Sequence, residues 1–287
     1  MRCRREVGTF AGGMDKDRRK LLVGASLVGI AALIVGPAFC SSLALREGPS
    51  DKKSNAAPKR PTGRPKPALE EDIAPVLARL DRWYAAHLPT DEYTFNLPAN
   101  DAALDALERV VGVAMPSSWH QLYRWHDGEN DDRHGHIYGL PLLPLAEVEA
   151  QWRSWVKILA YFKGDPYVIP GGGWPGGAVD PAYINRRWIP LTHDGSGNHI
   201  GIDLDPWPGG RVGQIILYGR DEEVKVVLAE SLGQFLGWIA DLLESGNFRL
   251  KVEPGEARLR AFALRNPPSD HFHEGARKLL GAPGPYA

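Results

Sequence analysis

Residues 188–206 read Trp-Ile-Pro-Leu-Thr-His-Asp-Gly-Ser-Gly-Asn-His-Ile-Gly-Ile-Asp-Leu-Asp-Pro, and their pattern decides the fold. The first five residues suit a strand, and Asp194-Gly-Ser-Gly-Asn198 has the composition of a tight turn. Beyond it, Ile200, Ile202 and Leu204 alternate with His199, Gly201, Asp203 and Asp205, the period of a half-buried strand. Strands joined by so short a link are antiparallel neighbours. Two more strands are predicted over residues 213–218 and 224–228, separated by Gly219-Arg-Asp221.

Helices flank this run on both sides. Downstream, Ser231-Leu-Gly-Gln234 is a capping box, and Leu232, Phe235, Leu236, Ile239, Leu242 and Leu243 form an apolar stripe ending at Gly246. Upstream, Ile73, Val76, Leu77, Leu80, Trp83, Tyr84 and His87 share one helical face. Asn100 caps a second helix closed by Gly112, and Pro116 opens a third that carries Trp119, Leu122 and Tyr123 inward. A fourth holds Leu145, Val148, Trp152, Trp155, Val156 and Leu159 on its buried side. Residues 164–181 are so rich in Gly and Pro that a loop without regular structure is expected. Residues 247–287 read as one more strand or hairpin arm and a polar tail. The class is α+β: a mainly antiparallel sheet with amphipathic helices packed on it, in a single main domain.

Charge and cysteine narrow the function. The 287 residues carry 34 Lys/Arg and 35 Asp/Glu, but residues 1–68 hold 14 and 5 of these, which leaves 20 and 30 for the remainder. The main domain is acidic, which argues against nucleic acid as a partner. Both cysteines, Cys3 and Cys40, precede residue 69, so the domain has no disulfide, no thiolate metal site and no Cys nucleophile.

The chain divides at 45, 68 and 250. In residues 1–45, Arg18-Arg19-Lys20 precedes an uncharged stretch, residues 21–45, that is broken at Gly36-Pro37. These are the parts of an export signal or a membrane anchor, with cleavage, retention and export route all open. The domain is therefore expected outside the cytoplasm, with the membrane a partner through residues 21–45 if they are not cleaved. Residues 46–68, with Pro58, Pro61, Pro65 and Pro67 among Lys, Arg, Ser and Asn, read as a semi-extended linker. Residues 69–250 are the α+β domain, and 251–287 a C-terminal extension.

The candidate chemistry is thin. His-Asp-Gly occurs at His126-Asp127-Gly128 and again at His193-Asp194-Gly195. A metal-dependent hydrolase could use such pairs, but each runs straight into Gly, as an Asp-initiated turn requires. Asp127, Gly128, Asp194, Gly195 and Asn198 are accordingly read as structural turn residues. His134-Gly-His136 supplies only part of a zinc site and reads as an exposed polar turn. No metal, cofactor or catalytic residue is expected. His199, Asp203 and Asp205 share a strand face opposite the apolar row, and Trp174 and Trp207 lie in Gly/Pro loops. These five are the candidates for contact with a protein partner.

Two stretches resemble a known family. One is Met115-Pro-Ser-Ser-Trp119 with Leu122-Tyr123 and Trp125-His-Asp-Gly128. The other is Trp188-Ile-Pro-Leu191, Asp194-Gly-Ser-Gly-Asn198, Ile202-Asp-Leu-Asp-Pro206 and Gly213-Gln-Ile215, followed by an amphipathic helix. Over about residues 69–246 the chain resembles the SUKH superfamily, the Smi/Knr-type domain of fungal cell-wall-assembly regulators and bacterial immunity proteins. The resemblance implies an α+β interaction domain without a catalytic centre. The first expectation is an immunity-type protein that neutralises a toxin at or beyond the membrane. The alternative is an envelope or cell-wall assembly regulator built on the same domain.

Overall fold

The computed structural model describes residues 57–89, 93–129, 135–169, 171–252 and 259–286. The export or anchor stretch lies outside the described residues. The chain opens with helices α1 (Ala74–His87), α2 (Asp101–Val111), α3 (Ser117–Trp125) and α4 (Leu145–Tyr161). Strands β1 (Gly172–Trp174), β2 (Trp188–Pro190), β3 (Asn198–Asp203), β4 (Gln214–Gly219) and β5 (Glu222–Ala229) follow. Helix α5 (Leu232–Glu244), a hairpin of β6 (Phe248–Val252) and β7 (Leu259–Leu264), and helix α6 (Phe272–Leu280) complete it.

Local chemistry sets the helix ends. Asn100 accepts a hydrogen bond from Ala103 N as the cap of α2, and Gly112 closes that helix in the left-handed region. Ser231 caps α5 by accepting from Gln234 N, and its hydroxyl donates to Glu71. Glu71 also accepts from Gly233 N at 3.2 Å, so a carboxylate from far upstream shares the capping.

The large sheet has the order β1-β5-β4-β3-β2. All its pairings are antiparallel except β1 on β5. In register, Asn198 faces Gly219 and Asp203 faces Gln214. One sheet face buries Ile189, Ile200, Ile202, Ile215, Leu217, Val226 and Leu228 in the same core as the inward rows of α1 to α5. The alternation read from residues 199–205 is therefore present, with Ile200 and Ile202 towards the helices.

The other face corrects the sequence reading, because it is covered too. Val179, from the Gly/Pro-rich stretch, and Ala182, just beyond it, pack on Trp188, Ile216 and Tyr218. Tyr183 and Ile184 join Trp155 and Leu159 of α4. Part of that stretch is moreover a regular strand: Gly172, Gly173 and Trp174 pair in parallel with Val224, Lys225 and Val226. Glycines pack little side-chain area, so periodicity gives no sign of this edge strand.

Both flanks of the domain need correction. Residues 57–68 do not run free as a linker, since Lys66 bridges to Arg211 and forms an ion pair with Glu230. After residue 250, the expected polar tail contains α6, whose Phe272 and Ala276 join Phe262 and Leu264 in the main core. Gly275 permits this approach: a Cβ there would stand 2.3 Å from Leu264 Cδ1.

Candidate functional site

The two His-Asp-Gly motifs are turns that spend their polar atoms on the backbone. At the first, Asp127 Oδ1 accepts from Leu145 N at 2.8 Å and so serves the start of α4. His126 Nδ1 lies 3.0 Å from Asn96 O, with its ring stacked on Phe95 at 4.4 Å. Gly128 has φ of 65°, and a Cβ there would meet Pro144 N at 2.3 Å, so no other residue fits without moving the α4 entry.

At the second, Asp194 accepts from Ser196 N at 2.7 Å, Asn198 N at 3.0 Å and Asn198 Nδ2 at 2.7 Å. Gly195 supplies the positive φ of 75°. Asn198 Oδ1 in turn accepts from Asp221 N at 2.8 Å, which ties the β2–β3 turn to the β4–β5 turn. Burial pushes the Asp194 carboxyl up, but the bonds from Asn198 and Ser196 outweigh it and hold the group below its ordinary range. Asp127 and Gly128 thus lie at one turn and Asp194 and Gly195 at the other, with Asn198 the first residue of β3. Among the described residues no group of His, Cys, Asp or Glu converges as a metal site would require.

Three of the five partner-contact candidates are inaccessible, a correction to the sequence reading: Trp155 of α4 lies against His199, and the stretch around Ala178 meets Trp207 and the Gln214 partner of Asp203. His199 is 1% exposed. Its Nε2 accepts from Trp155 Nε1 at 3.0 Å, and its Nδ1 donates to Thr192 O at 2.9 Å. Burial depresses its pKa to about 4, because the charged ring would lose its hydration. Asp203 is wholly buried. It accepts from Asp205 N at 3.0 Å and Gln214 Nε2 at 2.9 Å, and burial raises its pKa to about 7. Trp207 is 8% exposed, and its amide donates to Ala178 O at 3.2 Å. Trp174 is half-buried against the main core. Asp205 does reach solvent, where Arg60 Nη2 meets it at 3.0 Å.

His136 also departs from expectation. It is buried rather than in an exposed turn, stacked on Phe95 at 3.8 Å and edge-on to Tyr84 and Tyr93. Its neighbour Glu129 is buried with it and accepts from Leu142 N at 2.7 Å and His136 N at 3.1 Å. Glu129 is one of several residues that sequence reasoning missed. Another group is the buried pair of Glu222 and Arg277, whose guanidinium also donates to Val224 O and Pro283 O. Glu71, Arg60 and Lys66 complete the omissions. Apart from Glu129, these act on partners far away in sequence, where no spacing rule applies; only the Pro65-Lys-Pro67 alternation carried a local sign of an extended segment.

Fold and site together define an α+β domain whose His-Asp motifs build turns. Residues 98–238 match the SMI1 / KNR4 family (SUKH-1). The chain belongs to this family and carries a Smi/Knr-type domain of the SUKH superfamily. It is similar to the cell wall assembly regulator SMI1 of Saccharomyces cerevisiae, 30% identical over 232 residues, or 67% of this chain and 46% of that protein. The glucan synthesis regulatory protein of Neurospora crassa is 30% identical over 232 residues, covering 69% of this chain and 43% of its own. The cell wall biosynthesis/cell cycle regulator smi1 of Schizosaccharomyces pombe is 31% identical over 217 residues, 71% and 42% respectively. The chain spans less than half the length of these relatives.

Proposed function

We propose that this chain is a regulator of cell-wall assembly that acts by binding protein partners and catalyses no reaction itself. The observation that carries this reading is the set of fungal relatives, named as regulators of wall assembly or glucan synthesis, which align over about two thirds of the chain. These relatives favour wall regulation over the toxin-neutralising role first expected. The geometry supports a binding role, since both His-Asp motifs are committed to backbone amides and carbonyls. The test is deletion of the gene in the cell that carries it, scored by wall glucan content and sensitivity to wall-binding dyes. A wall defect restored by the full chain is expected; unaltered walls and dye tolerance overturn the reading.

The site of action belongs to the same proposal. Arg18-Arg19-Lys20 and the uncharged residues 21–45 support a domain held at a membrane or beyond it. Protease treatment of cells stripped of their wall should digest the domain, and full protection in a soluble cytoplasmic fraction overturns that placement.

A further inference from the structure

Residues 59–67 lie along the loop that leads into β4, and the contact is built unlike the rest of the core. Arg60 Nη2 donates to Asp205 Oδ1 at 3.0 Å and to Pro206 O at 2.7 Å. Gly63 passes so close to Pro208 that a Cβ there would be 3.3 Å from its ring. Lys66 forms one rung of parallel pairing: its N–H donates to Gly210 O at 2.9 Å and its carbonyl accepts from Val212 N at 3.0 Å. Its ammonium meets Glu230 at 3.0 Å, and Arg211 donates to Pro67 O at 2.9 Å. The pairing stops there because Pro65 and Pro67 have no N–H to offer.

The receiving loop is held by other bonds. Trp207 N donates to Ala178 O, Gly209 N to Gly177 O, Gly210 N to Trp207 O and Gly213 N to Asp203 O. Arg211 N donates to the Gln214 side chain, which is itself fixed by Asp203. This frame does not depend on residues 59–67, so the surface stays shaped when they leave. The ion pairs that hold them are exposed, with Arg60 and Asp205 at 43% and 41% and Lys66 and Glu230 at 51% and 47% side-chain accessibility. Exposed pairs of this kind contribute little individually. Residues 57–68 carry four cations and no carboxylate, against a main domain with excess acidic charge.

We infer that the edge made by residues 205–212 and Glu230 is a docking site for extended, basic, proline-spaced peptides. Residues 59–67 occupy it within this chain, and a partner segment of the same chemistry displaces them. Recognition combines one strand-like rung with carboxylates spaced for two cations, and the prolines favour the extended form before binding. Tethering gives the chain's own segment a high effective concentration, so it screens the site against weak competitors. The inference gives a partner chemistry to the binding role proposed above and rests on that role for its biological meaning. Failure of peptide binding overturns the docking site, whereas normal walls on deletion overturn the role.

The probe is a fluorescent synthetic peptide with the sequence of residues 57–68, followed by anisotropy against the full chain. Arg60→Glu with Lys66→Glu should weaken the internal contact and raise peptide affinity at least tenfold over the unaltered chain, with affinity falling as salt rises. Adding Asp205→Lys and Glu230→Lys should remove that gain. A scrambled peptide of equal composition should bind at least tenfold more weakly. Equal binding of native and scrambled peptides, or binding of neither to a variant with an unchanged circular dichroism spectrum, overturns the inference. Hydrogen exchange on the unaltered chain gives a second reading that needs no variant. Saturating peptide should speed exchange at the Lys66 amide while Val212 stays protected, and unchanged exchange at Lys66 in the peptide complex overturns displacement.

Discussion

Asp203 and Gln214 face each other across β3 and β4, with Gln214 Nε2 donating to Asp203 Oδ2 at 2.9 Å and to Ala178 O at 3.0 Å. The pair joins the sheet to the stretch that covers it, and neither side chain reaches solvent. Burial raises the Asp203 pKa to about 7, and the nearby negative charge of Asp205 and Asp180 adds to the rise. A cation cannot replace this carboxyl. Asp203→Lys would bury an ammonium against backbone and amide donors and should cost several kcal/mol, enough to unfold the sheet. Thermal melting checks this, and a variant that melts like the parent would show that the cover is loose.

The same carboxyl gives a pH signature. Between about pH 4 and 7 the unfolded chain has released this proton while the folded chain retains it, so Asp203 makes the fold less stable as pH rises through that window. His199 and His273 work in the opposite sense. Burial holds each at about 4, against 6.5 when unfolded, so their contribution is lost as pH falls from 6.5 towards 4. Asp203→Asn removes only the opposing carboxyl. Stability of this variant should therefore rise more steeply between pH 4 and 6.5 than that of the parent, read from urea midpoints. Parallel curves would mean that Asp203 titrates like an exposed carboxyl.

Why Asp203 was misplaced by its sequence bears on how such chains are read. Ile200 and Ile202 against His199, Gly201 and Asp203 give the period and the two faces correctly. What lies over the second face is set by residues 175–184, whose Gly and Pro content signals irregular backbone but not its destination. Helix α6 escaped for a related reason: nine residues containing Gly275 give too short a stripe to separate from a polar tail. The β2–β3 turn was legible because Asp194 acts on amides two and four residues away. Glu71 on Ser231, or Arg277 on Glu222, spans too much chain for any local rule.

At the β2–β3 turn the strength of those local bonds can be measured. Asp194→Ala orphans three donors at once, two amides and the Asn198 side chain, and loosens Asn198 from Asp221. Ser196 lies in exposed chain and can turn to water, so the loss is not threefold. The expected cost is about 2 kcal/mol in denaturant unfolding. Asp194→Asn keeps one acceptor oxygen and should recover part of it. A cost below about 0.5 kcal/mol would be typical of an ordinary surface position and would remove the turn from the list of features that fix the register.

The C-terminal helix should be as indispensable as the sheet it rests on. Arg277 projects from α6 to pair with Glu222 at the start of β5, and both groups are buried. Its guanidinium also takes up the carbonyls of Val224, at 2.6 Å, and Pro283, at 2.8 Å. Burial raises the Glu222 pKa, while the nearby guanidinium opposes the rise. Removing Arg277 alone leaves a carboxylate in a dry site, and breaking a buried pair in this way costs roughly 3–5 kcal/mol. Arg277→Ala should therefore lower the unfolding midpoint sharply and raise hydrogen exchange along β5 and α6 together. Arg277→Met with Glu222→Leu removes both charges, so it should regain a large part of the loss, though not all, since two carbonyls stay without a donor. If the double variant is no more stable than Arg277→Ala, the loss comes from packing of the long side chain rather than from the stranded carboxylate.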